Sequence, residues 1–128
     1  MGAMHNDNNP DVLVIPLGSV TTDNTQLPAG HMTKKGKIKS VKIQNQADLA
    51  ASDANYVELT LRIVGGATLA TYDSRAANQG ALVKNVAKDL VLAANVEVPA
   101  GSNLELSYAE TGTVGMTLGL LLVEYYPY

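Results

Sequence analysis

Residues 56–63 alternate strictly between apolar and polar side chains, and this pattern constrains the fold more than any other feature of the chain. The apolar side chains share one face and are Val57, Leu59, Leu61 and Ile63. Successive side chains of a strand point to opposite faces, so this segment is predicted to be a half-buried β-strand with that apolar face in the core. The Gly65-Gly66 pair that follows is typical of a hairpin, and residues 67–73 are predicted to pair back as the next strand.

Strand-like runs recur along the rest of the chain. Asp11–Ile15 is ended by Pro16 and is predicted to be an edge strand, because proline cannot donate a hydrogen bond to a neighbouring strand. In residues 37–46 the apolar alternation slips by one position near Lys39-Ser40, which predicts a β-bulge there. Further strands are expected at 89–93, 104–108 and 114–126.

The number and spacing of these runs indicate the fold class. About seven or eight strands at intervals of roughly ten residues, with only a short helix or irregular turn at 81–88, predict an all-β antiparallel β-sandwich or jelly roll. The phrase LPAG at Leu27–Gly30 returns as VPAG at Val98–Gly101, and both copies are predicted to be tight turns that lead into strands. Residues 18–30 are accordingly expected to form a long loop.

Length and composition limit the classes of protein to which the chain can belong. At 128 residues it is predicted to be one β-sandwich domain over 11–128, after a disordered leader at 1–10 that includes residues left from cloning. Its net charge of −3 argues against general nucleic-acid binding. The absence of cysteine excludes disulfides, thiolate zinc sites and cysteine nucleophiles. The longest apolar run, Met116–Val123, is too short to span a membrane, so no membrane partner is expected.

The sequence offers little that could carry a reaction. His31 is the one histidine outside the leader, and no carboxylate or second histidine stands at metal-ligand spacing from it. A single usable histidine leaves no Ser-His-acid triad, and no Gly-rich phosphate loop is present. The glutamates that could pair for glycoside hydrolysis are predicted mostly on solvated strand faces, and they are Glu58, Glu97, Glu105, Glu110 and Glu124. We therefore expect no catalytic residue, cofactor or metal site, and we expect the protein not to be an enzyme.

Five of the nine basic residues of the chain fall within nine consecutive positions. They are Lys34, Lys35, Lys37, Lys39 and Lys42. One hypothesis is that this cluster binds an acidic partner surface. The other is that the lysines protect an edge strand against unwanted pairing, which is a common use of lysine in β-proteins. No aromatic residue lies among them, which argues against stacking on single-stranded nucleic acid.

The last predicted strand becomes apolar on both faces towards its end, which is typical of a strand at the centre of a sheet or in a subunit interface. Three tyrosines then stand at the end of the chain, and tyrosine supplies a large and rigid contact surface. The candidate oligomer interface therefore consists of Leu121, Val123, Tyr125, Tyr126 and Tyr128. Two alternatives stay open, namely that the tyrosines pack within the sandwich or that they stack on sugar rings.

The general style of the chain combines low charge, no cysteine and strands rich in Ala, Gly, Thr and Asn over residues 12–126. Three segments carry this style most clearly: Asn55–Arg62, Leu69–Arg75 and Val98–Leu104. In these features the chain resembles the small capsid decoration, or head auxiliary, proteins of tailed bacteriophages. The resemblance implies a virion structural protein, made in the host cytoplasm, that binds the major capsid protein on the capsid surface and stabilises the shell as a homo-oligomer, with a trimer favoured. The alternative function is a carbohydrate-binding or fibre-tip β-sandwich module.

Overall fold

The computed structural model describes residues 10–20 and 24–127, and these residues form ten β-strands and no helix. The strands are β1 (Asp11–Val20), β2 (Asn24–Met32), β3 (Gly36–Gln44), β4 (Tyr56–Ile63), β5 (Thr68–Asp73), β6 (Lys88–Asp89), β7 (Val91–Leu92), β8 (Glu97–Val98), β9 (Ser102–Thr111) and β10 (Met116–Pro127). Within this described part, no helix is present that would be long and apolar enough to cross a membrane. The predictions made for residues 1–9 and for Tyr128 lie outside the described residues.

The strands form two antiparallel sheets that enclose one hydrophobic core. The first sheet has the order β1-β10-β3-β6, with β8 also paired to β3, and the second sheet has the order β2-β9-β4-β5-β7. Apart from the β4–β5 hairpin, each of these strands is followed along the chain by a strand of the opposite sheet. This alternation is the connectivity of a jelly roll, so the predicted all-β sandwich is confirmed.

The predicted strand count of about seven or eight is too low, because residues 88–98 hold three strands of two residues each. β6 and β8 pair with β3 in the first sheet, whereas β7 pairs with β5 in the second. The chain therefore crosses between the sheets twice within eleven residues. Leu90, at the first crossing, points inward and is only 5% exposed. Runs this short are too brief for an alternation of polar and apolar residues to become visible.

The strand that dominates the sequence pattern lies inside the second sheet, between β9 and β5. Val57, Leu59 and Leu61 are almost completely buried, and Ile63 packs partly buried against the same core. The predicted inward face is therefore confirmed. Each fully buried leucine contributes about 1.5–3 kcal/mol relative to an exposed one. Because the chain has no Phe or Trp, the largest buried side chains are Tyr72 and Tyr108.

The two copies of the Pro-Ala-Gly phrase have different structures. The second copy is the predicted turn, with Gly101 at φ 80° and the N–H of Ser102, the first residue of β9, donating to the Pro99 carbonyl at 3.3 Å. The prediction for the first copy is wrong, because Leu27–Gly30 lies inside β2, and so is the prediction of a loop reaching to residue 30. β2 is an edge strand of the second sheet, and an edge tolerates proline because the missing N–H faces away from the neighbour.

Residues 81–87 form an irregular connection, so of the two alternatives predicted for 81–88 the short helix is wrong. Leu82 makes an isolated antiparallel bridge with Leu49, which fixes the segment against the body of the sandwich. The Val86 N–H donates to the Val83 carbonyl at 3.0 Å and closes a turn in which Asn85 has a φ of 60°. Asparagine is one of the few residues that adopts this left-handed conformation readily.

The predicted bulge and the predicted edge strand both occur in the first sheet. Ile38 and Ser40 of β3 face consecutive residues of β10, so Lys39 is the extra residue of a β-bulge. β1 stands at the end of the strand order, as predicted from Pro16. Its pairing with β10 is irregular on both sides of Gly18, which adopts a φ of 69°.

Candidate functional site

The outer face of the first sheet is mostly apolar along β1 and β10, and Glu124 of β10 lies on it opposite Val12. Val12 and Val14 on β1 are 49% and 57% exposed. The antiparallel register sets Val14 opposite Leu122, so these side chains form one surface across the two strands. We name this surface the apolar strip, and it consists of Val12, Val14, Pro16, Leu120 and Leu122.

The same face becomes basic on β3, next to the apolar strip. Lys37 and Lys42 pair in register with residues of β10, and Lys39 is exposed at the bulge between them. Lys34 and Lys35 are exposed in the connection that precedes β3. Lys42 therefore stands beside Leu122 of the apolar strip, and the other four lysines continue from there along β3 and into the connection before it. We name these five lysines the lysine border.

Acidic side chains neutralise part of the lysine border. Lys42 Nζ lies 2.7 Å from Asp89 Oδ1 on the neighbouring strand β6. This hydrogen bond outweighs the opposing effect of burial and raises the pKa of Lys42 above its ordinary value. Lys37 stands in register with Glu97 of β8. An exposed ion pair such as Lys42–Asp89 contributes little free energy to the fold.

The lysine border does not protect an open sheet edge, so that hypothesis is wrong. β3 lies inside the first sheet, with β10 on one side and β6 and β8 on the other. Between those two short strands, backbone hydrogen bonds continue the coverage, from Ile38 N–H to the Val96 carbonyl and from Leu90 N–H to the Val41 carbonyl. The open edge of this sheet is β1, where an uncharged stretch from Val12 to Val20 is interrupted by Pro16 and by the irregular pairing at Gly18.

The candidate oligomer interface is divided by the structure. Leu121 and Val123 are completely buried in the core, so a second copy cannot reach them while the sandwich is intact. Tyr125 also points inward and packs against the core, with its pKa raised by burial. Tyr126 lies partly buried on the outer face, opposite Lys37, and Tyr128 is outside the described residues. Among the side chains of β10 that the structure describes, the outward aliphatic ones are instead Leu120 and Leu122 of the apolar strip.

A hollow of about 250 Å³ lies at the end of the apolar strip, where β3 and β10 meet the 81–87 connection. Its lining consists of Gln44, Asn45, Gln46, Asn85 and Leu120. Gln44 Nε2 donates to the Asn85 carbonyl at 2.9 Å, which holds one wall in place. The hollow therefore combines one apolar side chain of the strip with several amide groups that can donate and accept hydrogen bonds.

A larger hollow, of about 360 Å³, lies on the outer face of the second sheet over β4 and β5, and we name it the second-sheet groove. Its floor contains Thr60 and Thr71, which pair across the two strands. The polar side chains around this floor are Glu58, Asp73, Arg75, Asn78 and Gln79. The alternation of residues 56–63 predicts that Glu58 and Thr60 lie on the polar face of β4, but it does not predict a site there. The groove forms only because residues 74–79 fold back beside β5, and alternation along one strand does not predict that.

Arg75 contacts three neighbouring side chains at this groove. Its Nη2 lies 2.5 Å from Asp73 Oδ2 and 3.7 Å from Glu58 Oε2. Its guanidinium carbon stands 4.4 Å from the centre of the Tyr56 ring, which is the geometry of a cation–π contact. The hydrogen bonds from Arg75 outweigh burial and hold the pKa of Asp73 below its ordinary value.

The residues considered for catalysis or metal binding do not come together. His31 is exposed on β2, with Nδ1 at 2.7 Å from Asn103 Oδ1. Across the described ranges, no group of three or more His, Cys, Asp or Glu side chains could hold a metal ion. The glutamates are divided between the sheets, with Glu97 and Glu124 on strands of the first and Glu58, Glu105 and Glu110 on strands of the second.

Comparison with known proteins leaves the two outer faces as the basis for an inference about function. No family model, curated protein or solved structure matches the chain. The apolar strip with its lysine border and the second-sheet groove are therefore the two surfaces from which function can be inferred.

Proposed function

We propose that the protein is a virion structural protein that decorates a bacteriophage capsid and stabilises the shell by binding its outer surface as a homo-oligomer. The partner in this proposal is the major capsid protein, and the location is the capsid surface of the virion. The observation that carries the proposal is the outer face of the first sheet, where the apolar strip is exposed beside the lysine border. The resemblance of the strand and turn segments to decoration proteins supports it further.

The composition of this face is that of a protein interface. Interfaces have a core depleted in charge, surrounded by a polar rim that stays accessible to water. Here Val14 and Leu122 occupy the apolar part, and the lysines with their acidic partners stand at its margin. Contiguous exposed apolar surface rimmed by polar residues marks interaction sites on proteins that are otherwise soluble. The face is therefore suited to bind another protein surface through side-chain contacts.

Binding through the side chains of the apolar strip is consistent with the structure of the edge strand β1. An open β-edge can bind another chain by adding a strand, with backbone hydrogen bonds providing the affinity. In β1, Pro16 lacks an N–H and Gly18 lies at irregular pairing, and both features oppose such extension. A partner is therefore expected to contact the side chains of the apolar strip rather than the backbone of β1.

Stabilisation of a shell by such a protein follows from mass action. A ligand that binds the assembled state and not the separated capsomers favours assembly by RT ln(1 + [L]/Kd). A homo-oligomer that contacts several capsomers at once adds avidity, because its second contact forms at a high effective concentration. The low charge of the chain, at 16% of residues, and the partly exposed Tyr126 support self-association. Sedimentation should give a trimer, and a monomer at micromolar concentration would contradict this part of the proposal.

The direct test compares two valines of equal exposure. Val14 is 57% exposed in the apolar strip, and Val83 is 58% exposed in the 81–87 connection and is not part of the strip. Val14→Glu should weaken co-sedimentation with capsids of the virus that encodes the chain by at least about tenfold, equivalent to ~1.4 kcal/mol. Val83→Glu should leave co-sedimentation unchanged, and both variants should keep the melting temperature of the parent within a few degrees.

Two outcomes would overturn the proposal. The first is a failure of the parent protein to co-sediment with those capsids. The second is an equal loss of binding in Val14→Glu and Val83→Glu, because the apolar strip would then have no special role.

The alternative of a carbohydrate-binding module depends on the tyrosines near the end of the chain, and the placement of Tyr126 does not favour it. Tyr126 lies on the first sheet beside Lys37, whereas the second-sheet groove lies on the other side of the sandwich. Along β10, Tyr126 is six residues from Leu120 at the amide-lined hollow, a distance of roughly 20 Å at ~3.3 Å per residue.

A further inference from the structure

We propose that the second-sheet groove binds a neutral saccharide of one or two sugar rings. This inference does not rest on the docking proposal, because the groove and the apolar strip lie on opposite outer faces of the sandwich. The groove has a volume of about 360 Å³. Binding sites for small molecules commonly span ~300–1,000 Å³, so the groove is suited to a ligand at the small end of that range.

The floor of the groove offers hydroxyl and methyl groups side by side. Thr60 of β4 and Thr71 of β5 are direct cross-strand partners, and their side chains point to the outer face. Val91 of β7 adds a half-exposed isopropyl group next to Thr71, with which it is paired. A sugar ring presents C–H groups on its faces and hydroxyls around its edge, so a mixed floor of this kind can contact both.

The rim of the groove supplies both donors and acceptors of hydrogen bonds. Carboxylates accept, a guanidinium donates, and side-chain amides do both. Glu58 and Asp73 provide the first type, Arg75 the second, and Asn78 and Gln79 the third. Sugar hydroxyls donate and accept at the same time, so a ligand with several neighbouring hydroxyls can use all three types of group.

The rim is held in place before any ligand arrives. Asp73 accepts hydrogen bonds from the Arg75 backbone N–H at 2.9 Å and from its guanidinium. The Asp73 N–H donates to Gln79 Oε1 at 2.8 Å, and the Gln79 N–H donates back to the Asp73 carbonyl at 3.0 Å. Ser74 is completely buried, and its Oγ accepts from the Val57 N–H at 2.9 Å. Because the rim side chains are already held in place, binding a ligand costs less side-chain entropy, which favours polar ligands that bind weakly.

The charge of the groove selects against anions. Asp73 and Arg75 neutralise each other, and Glu58 remains 3.7 Å from the same guanidinium. The two carboxylates outnumber the one guanidinium, so a phosphate or a carboxylated sugar would meet net negative charge. A neutral ligand avoids this penalty.

The experiment uses amide chemical shifts of the isotope-labelled protein during titration with single sugars. The probes are glucose, galactose, mannose and N-acetylglucosamine, with glucuronate as an anionic comparison. At least one neutral sugar should shift amides of β4, β5 and residues 74–79 at millimolar concentration, where the binding free energy is about −4 kcal/mol. Glucuronate should cause smaller shifts at the same residues.

Substitutions of two exposed threonines on β5 test whether the sugar binds in the second-sheet groove. Thr71 lines the groove and Thr68 does not, and both side chains are exposed on the same strand. Thr71→Lys fills the floor and should weaken binding of the responding sugar by at least tenfold, ~1.4 kcal/mol. Thr68→Lys should leave binding unchanged. Asn78→Ala, at an exposed rim position, provides a second variant that removes a hydrogen-bonding group without filling the groove.

Several results would overturn the proposal. These are no shift with any neutral sugar, shifts confined to the first sheet, a stronger response to glucuronate than to every neutral sugar, or unaltered binding in both Thr71→Lys and Asn78→Ala. The spectra of the unliganded variants report whether each one is folded. Should Thr71→Lys not fold, Asn78→Ala alone decides the outcome. Failure here would leave capsid docking untouched, because Val14→Glu tests the opposite face.

Discussion

The two outer faces of the sandwich cover the same core and yet have opposite chemistry. On the first sheet, Val14 and Leu122 expose apolar surface, and the charged residues stand beside it. On the second sheet, the exposed centre is made of hydroxyl groups such as Thr60 and Thr71, with ion pairs at both sides. A partner that excludes water fits the first face, and a hydrated polar ligand fits the second.

The difference between the two outer faces separates the residues that the fold requires from those that it leaves free to vary. The inward residues of both sheets are alike, being almost all Leu, Val, Ile, Ala, Met and Tyr, because both contribute to one core. Outward residues are free of that requirement, since burial and packing do not select them. A systematic difference between two outward faces is therefore informative about function, whereas the shared core is informative about stability.

The largest effect on stability is expected from a change in the core, because both outer faces depend on it. Leu61 is completely buried, and Leu61→Asp places an unpaired charge in the core. Loss of the packed side chain alone costs about 2–5 kcal/mol, out of the ~5–15 kcal/mol that stabilises a typical domain. The variant should be largely unfolded in denaturant titrations followed by circular dichroism, and both proposed binding activities should disappear together.

The matched control for this change is Val64→Asp, three residues further along the chain at 51% exposure. Because the side chain of Val64 is already half-exposed to solvent, its replacement should alter the free energy of unfolding by only about 0.5 kcal/mol. A Leu61→Asp variant as stable as this control would mean that β4 is not part of the core.

Several features of the fold could be predicted from the sequence, because each has a cause within a short stretch of the chain. The inward face of β4 follows from strict alternation, the bulge at Lys39 from a single slip of that alternation, and the edge position of β1 from Pro16. In each case the physical cause lies within a few neighbouring residues. The sandwich class follows from adding such segments together.

The inward side of β10 could not be predicted in the same way. This strand is apolar on both faces, so a period of two residues does not distinguish Leu121 from Leu122. The choice is made by pairing, which sets Leu121 opposite the buried Ile43 and Leu122 opposite Lys42. The second-sheet groove was missed for a related reason, because it depends on residues 74–79 folding back against β5.

An intermediate effect is expected from the ion pairs, which should respond to opposite ends of the pH scale on the two faces. The pKa of Asp73, lowered chiefly by Arg75, gives a stabilisation that is complete above its ordinary value of 3.8 and lost as pH falls through the lowered pKa. The pKa of Lys42, raised chiefly by Asp89, gives one that is complete below 10.5 and lost as pH rises through the raised pKa.

Melting temperatures of the parent, Asp73→Asn and Lys42→Gln over a range of pH would measure this contrast. The destabilisation by Asp73→Asn should be a few degrees at neutral pH and should vanish in strong acid. The destabilisation by Lys42→Gln should be smaller, because its pair with Asp89 is more exposed to solvent, and should vanish at alkaline pH. If either difference stayed constant across its pH window, the ion pair would not be its source.

The smallest effect on stability is expected from changes in the lysine border. These changes test how much the charged part of the first face contributes to binding. Replacing Lys34, Lys35 and Lys37 together with Gln should change the free energy of unfolding by no more than about 0.5 kcal/mol for each residue, because all three side chains are exposed. The same variant should bind the capsid more weakly than the parent. Lys84→Gln is a suitable control, since Lys84 is equally exposed but lies in the 81–87 connection outside the border.

Salt separates the contribution of the lysine border from that of the apolar strip. Exposed charges are screened beyond a Debye length of ~8 Å at physiological ionic strength, whereas burial of apolar surface is not weakened in this way. Capsid binding by the parent should therefore fall moderately as salt is raised, and the triple variant should show a flatter dependence. Val14→Glu should bind weakly at every salt concentration. Equal salt dependence in the parent and the triple variant would show that the lysines take no part, leaving the apolar strip as the whole of the contact.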